Sequence, residues 1–246
     1  MVVAIEAGIG QDVILVLDRF GPVEQQLYNK LLNAGLKIRV LNARDDVLRP
    51  MHGKAVLLLD DVFASLIVSS IFDHTLNPHN VYAMGINRAL LFRELARRGY
   101  PTPEFSISLD PNIVAKIIRG IGRTYMATPA PPLELDGIVT TWEGGKSIAE
   151  HRMYMKNPLA RINILMKAPE NILNARVVGD RCINCGSLGN TLLRLSRDIG
   201  CVFCTYIIGT YNGEPMIIGL DPRVELTMEN IDLFINAVMG WLHEEQ

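Results

Sequence analysis

The residues whose spacing carries the most specific chemistry are four cysteines. Cys182-x-x-Cys185 is followed, after fifteen intervening residues, by Cys201-x-x-Cys204. This spacing fits a zinc ion held by four thiolates, and Gly186 directly after Cys185 suits the tight turn of a metal knuckle. Cys201 and Cys204, however, open an apolar run expected to be a strand, where residues three apart point to opposite faces. Both sulfurs would reach one ion only with a bulge at Val202-Phe203. A regular strand lets at most one of them meet Cys182 or Cys185. Disulfides joining the hairpin to its neighbouring strand, or four small buried apolar residues, are the other readings of the pattern.

Carboxylates form the second set. Asp18, followed by Arg19, and the pair Asp60-Asp61 each end an apolar run. Those are the carboxyl ends of strands, where α/β sheets hold ligand groups. Asp18 and Arg19 either line a cleft or pair with neighbours, and the plainer role for Asp61 is to cap the following helix. His151 in AEHRMYM belongs on a solvated helix face, and Asn77-Pro78-His79 reads as a turn. No nucleophile elbow, H-E-x-x-H or phosphate-loop string is present, and GIGQD precedes the first strand, so it is not a dinucleotide fingerprint.

The elements that must position these groups follow from periodicity. Residues 12–18 (DVILVLD) read as a buried strand, and Pro22 opens a helix that Gly35 ends. Strands at 36–42, 54–60 and 81–84 and a helix at 62–72 complete a small parallel α/β unit. A helix at 86–98 runs into YPTP. Strand 104–109, a helix from Pro111, strands 123–128 and 137–142 and a helix at 147–155 form an α+β unit. Strand 161–167 leads into a third unit, with hairpins 173–185 and 201–220 around a helix at 191–199, and a last helix entered after Thr227.

With 246 residues, 49% of them apolar, and a mean hydropathy of +0.19, the chain has ample material for folded cores. A formal charge of −2 with no Lys/Arg run gives no electrostatic footprint for nucleic acid or an anionic membrane, so neither partner is expected. The first residues carry no basic stretch of a secretory signal, and the expectation is a soluble, cytoplasmic protein. Seventeen Arg against seven Lys, and only four Gln, would suit a thermophile.

The order of these elements resembles the ATP-grasp ligases, most closely the lysine-biosynthesis and RimK-like carboxylate–amine ligases. DVILVLDRFGPVEQQLYNKLLNAG, GINRALLFRELARRGYPTPEF, NARVVGD and DPRVELTMEN carry the likeness, which covers nearly the whole chain. It implies an ATP-grasp-like α/β fold: an N-terminal parallel α/β domain over 1–84, a central α+β subdomain over 85–163 and a C-terminal ATP-grasp subdomain over 164–246.

In such ligases ATP phosphorylates a carboxylate and an amine attacks the acyl phosphate, with Mg²⁺ on the phosphates. Carried over by position, Asn87-Arg88 replaces an Asp-Lys pair, so Arg88 is the surviving phosphate-site cation, whereas Ala127 stands where a second Lys belongs. PAPPLELDG replaces a Gly-rich phosphate loop. Tyr206 occupies the place of a metal-binding Asp, and Gly219-Leu220-Asp221 that of an E-x-N motif, leaving Asp221 as the Mg²⁺ ligand. Arg176 matches an Arg able to pair with an anion. Leu165, Met166, Lys167 and Ala168 form the hinge against which adenine would lie in a cleft between the central and C-terminal units.

The expectation is therefore an ATP-grasp-like pseudoenzyme: a small-molecule-binding, regulatory or assembly protein without full ligase activity. The alternative is an active ATP-dependent carboxylate–amine ligase, with Arg88 and Arg176 on phosphate and Asp221 with Glu225 on metal. A third reading is an interaction protein, either a partner subunit of a ligase or a homo-oligomer.

Overall fold

The computed structural model describes residues 12–130 and 136–244. Its strands form three four-stranded sheets, one parallel and two antiparallel. The first contains β1 (Asp12–Leu17), β2 (Lys37–Asn42), β3 (Met51–Leu58) and β4 (Phe72–Thr75) in the order β2-β1-β3-β4. Its helices are α1 (Pro22–Asn33), opened by the expected Pro22, and α2 (Val62–Ser69). Asp61 caps α2 by accepting from the Phe63 N–H at 2.7 Å, the plainer of its two roles.

Two expectations fail here. The fourth strand lies at Phe72–Thr75, and residues 81–84 belong to a helix, α3 (His79–Ile86). The run VYAM is too short for periodicity to separate strand from buried helix. The helix expected at 86–98 is cut at Asn87, whose Oδ1 accepts from the Leu90 N–H at 3.1 Å and starts α4 (Arg88–Arg97) afresh.

The central sheet contains β5 (Phe105–Ser108), β6 (Thr124–Ala127), β7 (Gly137–Val139) and β8 (Asn163–Lys167) in the order β5-β8-β6-β7. Helices α5 (Pro111–Ile121) and α6 (Trp142–Met153) cover one face, where Val114, Ile118, Met126, Val139, Ala149 and Leu165 pack together. The strand expected to lead into the third unit, β8, is an inner strand of this sheet.

The third sheet orders β9 (Ile172–Val178), β10 (Arg181–Ile183), β11 (Phe203–Tyr211) and β12 (Glu214–Asp221) as β10-β9-β11-β12. Its two hairpins turn where glycine permits. Gly179 has φ 58°, and an added Cβ would sit 3.0 Å from Ala237 Cβ. Asn212 and Gly213 both have positive φ, as a two-residue turn matching strand twist requires. Helix α7 (Gly189–Ile199) lies on one face of this sheet, and α8 (Ile231–Glu244) reaches both the first and third sheets. One cluster joins Leu15 and Val56 of the first sheet to Phe203 of the third through Phe234, Val238 and Leu242 of α8.

Candidate functional site

Alternation along β11 sorts the third sheet into two faces. Register places Ile207 opposite Gly219, and Thr205 between Asp221 and Arg176, so these residues share a face with Gly209 and Tyr211. Tyr206, opposite Leu220 and Ala175, points the other way, toward α7, where its hydroxyl lies 2.9 Å from Ser196 Oγ. The position matched to a metal-binding Asp therefore does not share a face with Gly219 and Asp221.

The Gly219 face meets the inner face of the central sheet, and the two close on each other. Tyr125, Ala127, Ile164 and Met166 are 5%, 0%, 1% and 0% exposed and join one core with Tyr211, Ile218 and other residues of the third sheet. Burial pushes the Tyr211 phenol up to about 12, with Tyr125 the second cause. Residues from the facing sides of the two sheets thus share one buried core.

Arg88 stands within this closed junction. As the first residue of α4 it gives its backbone N–H to the Pro129 carbonyl at 2.9 Å, and its side chain is completely buried. Nη2 donates to Asp136 Oδ2 at 2.6 Å, while Asp136 Oδ1 accepts from the Thr128 N–H at 2.8 Å and lies 3.0 Å from Thr128 Oγ1. The Tyr125 hydroxyl lies 3.5 Å from Asp136, and burial, then the Asp136 charge, raises its pKa. The Arg88 Nε sits over Gly219, 3.4 Å from where a Cβ would be. Among the described residues, Arg88 Nε and Nη1 have no hydrogen-bond partner. Of PAPPLELDG, residues 131–135 lie outside the described residues, and its described ends, Thr128 to Ala130 and Asp136, fold onto Arg88.

Arg152, which sequence reasoning missed, is a second fully buried guanidinium nearby. It donates to Asn163 Oδ1 at 2.9 Å, and its pKa is lowered by burial against the opposing pull of Asp136.

Asp221, the expected metal ligand, is engaged elsewhere. Arg223 Nε lies 3.0 and 3.2 Å from its two oxygens, and Nη2 donates to Oδ2 at 2.7 Å. That hydrogen bond, then Asp221's charge, holds the Arg223 pKa up against burial. Arg223 Nη1 reaches the Asp60 carbonyl at 3.0 Å, and the Asp60 N–H donates to Asp18 Oδ2 at 2.7 Å. Arg176 pairs with Glu225 and lies 5.7 Å over the Phe203 ring. The structure thus gathers Asp18, Asp60, Asp221 and Arg223 into one network, with Arg176 and Glu225 beside it. The signal for Arg223 was its place two residues after Asp221.

At the hinge, Leu165 points toward α5 and α6, Met166 into the closed junction, and Lys167 is exposed. The Ala168 N–H, a donor that a purine edge would need, is already given to the Arg123 carbonyl at 2.9 Å. A cavity of about 200 Å³ beside Lys167, Ala168 and Tyr211 falls below the range of ordinary ligand pockets. A cavity of about 1450 Å³ lies elsewhere, between β4 and α3 on one side and α7, α8 and the β9–β10 turn on the other.

The four-cysteine zinc site does not form. Cys182 and Cys185 are joined by a disulfide, whereas Cys201 and Cys204 are free and buried. Cys182 and Cys204 each lie opposite Val177, on either side of β9, so a whole strand separates the two pairs. Cys201 precedes β11, and the sheet's bulge falls between Ile207 and Ile208 rather than at Val202-Phe203. Among the described residues no group of three or more His, Cys, Asp or Glu is placed to hold a metal ion. The Mg²⁺ assignment fits no better: one paired carboxylate, a glycine and a tyrosine on the opposite face do not make an oxygen cage.

Asn77, read as part of a turn, is fully buried. Its amide donates to the Phe203 and Pro222 carbonyls at 2.6 and 2.8 Å and accepts from the Val202 and Phe203 N–H groups at 2.9 and 3.1 Å. His151 is exposed on α6, as expected. No helix among the described residues is long and apolar enough to cross a membrane.

No protein-family model matches the chain, and no curated protein matches it by sequence. Solved structures do. A RimK-domain ATP-grasp protein from Sphaerobacter thermophilus has a TM-score of 0.74 at 14% identity, over 93% of this chain and 100% of that one. The ATP-grasp ligase PsnB, in complex with a phosphomimetic precursor variant, Mg and ADP, has a TM-score of 0.65 at 12% identity, over 95% and 99%. N5-carboxyaminoimidazole synthase from Aspergillus clavatus, with ADP and its ribonucleotide, has a TM-score of 0.62 at 12% identity, over 94% and 77%. The parallel sheet, the two facing antiparallel sheets and these likenesses together establish that the chain has the ATP-grasp fold.

Proposed function

We propose that this chain is an ATP-grasp-fold relative of the carboxylate–amine ligases that does not run ATP-dependent ligation and works as a small-molecule-binding, regulatory or assembly protein. The observation that carries the reading is the state of the Gly219–Asp221 pair. Where phosphates would need a caged Mg²⁺, Gly219 offers no ligand and lies under the Arg88 guanidinium, and Asp221 has both oxygens on Arg223. Moving Asp221 to a metal would leave Arg223 without its carboxylate, a cost that one weak ligand does not recover. The test is ADP release from Mg-ATP with amino acids and carboxylate acceptors present. The expected result is no turnover above the protein-free rate; turnover abolished by Arg88→Ala would reject the reading.

One observation favours the alternative of an active ligase. Arg88 Nε and Nη1 are buried N–H donors without a partner among the described residues, and a phosphate oxygen would satisfy them. In that reading the sheets separate, Arg88 and Arg176 grip phosphate, and Asp221 with Glu225 binds metal. The same assay decides between the two.

A further inference from the structure

We propose that the Cys182–Cys185 bridge is a thiol–disulfide exchange site that operates on the folded protein, opened by dithiols and remade by disulfides. The four cysteines divide into two classes. Cys201 and Cys204 are 4% and 0% exposed and unjoined, and burial drives the Cys201 thiol well above its ordinary pKa, which keeps it protonated and inert. Cys182 and Cys185 are half-buried, at the edge of the core rather than within it, and joined across a sequence separation of 3.

A bridge this short ties no distant elements together. The chain-entropy return grows with loop length, so a link from β10 across to β11 would stabilise more. The flanking chain is held by other means: β10 pairs with β9 at Arg181, Cys182 and Ile183, and the Leu188 N–H donates to the Cys185 carbonyl at 3.1 Å, with Leu188 itself buried. The fold therefore does not depend on the bridge. The reduced state is also accommodated, because the Ile183 carbonyl oxygen lies 3.3 Å from Cys185 Sγ and can accept the S–H that reduction creates.

The exchange balances as a two-electron transfer. A dithiol's thiolate attacks Cys182 Sγ, the Cys182–Cys185 bond breaks, and Cys185 leaves as a thiolate that takes a proton and turns its S–H to the Ile183 carbonyl. The second thiol of the reductant then displaces Cys182, which is also protonated, and departs as a cyclic disulfide. Arg181, the residue before Cys182, lines the large cavity, although neither cysteine of the bridge does.

The test treats the intact, oxidised chain with dithiothreitol, alkylates it with iodoacetamide and maps the labelled peptides, while circular dichroism follows the fold. Label is expected at Cys182 and Cys185 at least about tenfold faster than at Cys201 and Cys204, with an unchanged spectrum and the bridge restored by oxidised glutathione. In Cys185→Ser, oxidised glutathione is expected to form a mixed disulfide on Cys182. A bridge that yields only with loss of the folded spectrum, or four cysteines labelled at one rate, overturns the proposal. So does a Cys182 that takes up no glutathione in a folded Cys185→Ser variant.

Discussion

The Arg88–Asp136 pair sets the electrostatics of the closed junction. Removing the carboxylate with Asp136→Ala strands a buried guanidinium, and the expected loss is about 3–5 kcal/mol. Replacing both partners with apolar residues, Arg88→Met with Asp136→Leu, removes the charge along with its counterion and is expected to cost less than the single change. Urea unfolding of the two variants checks this, and a double variant less stable than Asp136→Ala would contradict it. Asn77→Ala leaves the Phe203 and Pro222 carbonyls and two backbone N–H groups of the third sheet without their partner. A loss of at least about 3 kcal/mol is expected by the same measurement, since each buried orphan costs roughly 1–3. At this scale the sequence exposed Asp61 as a cap and Asp221 as the surviving carboxylate. It hid the partners that decide their roles: Asp136 lay inside the stretch read only as the replacement for a phosphate loop, and Asn77 bonds across more than a hundred residues.

Elements that obey a long apolar period were legible, as α1, α5 and α8 illustrate. Short apolar runs were not: VYAM fits strand or helix until α2 and β4 are placed around it. Helix α8 joins the first and third sheets through Phe234, whose ring lies 5.7 Å edge-on to Phe203. Phe234→Ala is expected to cost about 3–5 kcal/mol and to lower the melting temperature. The facing sheets also predict an alkaline limit. Tyr211 titrates near 12 in the folded chain against 10.0 for a free phenol, and burial raises Tyr125 and Tyr206 as well. A raised phenol pKa means the folded state holds its proton longer, so the contribution is intact below pH 10 and is lost as pH rises toward the folded value. Tyr211 alone accounts for about 1.4 kcal/mol lost by pH 11. Denaturant unfolding at pH 9 and pH 11 measures it, with Tyr211→Phe expected to flatten the dependence.

Across the whole molecule, the order of elements carried the fold, because three successive groups of strands and helices leave few ways to build sheets. The shared core of the second and third sheets was not legible, since it depends on which faces of β6, β8 and β11 meet. Tyr125, Met166 and Tyr211 look like ordinary core residues in sequence, and under the proposed function their shared core leaves no room for a nucleotide. Thermal melting with and without excess Mg-ATP tests that claim most directly, because a ligand bound only by the folded state adds about 2.7 kcal/mol of stability at a hundredfold excess over Kd. The account predicts the same melting temperature with Mg-ATP, Mg-ADP and buffer; a rise of several degrees with Mg-ATP that Arg88→Ala removes would contradict it.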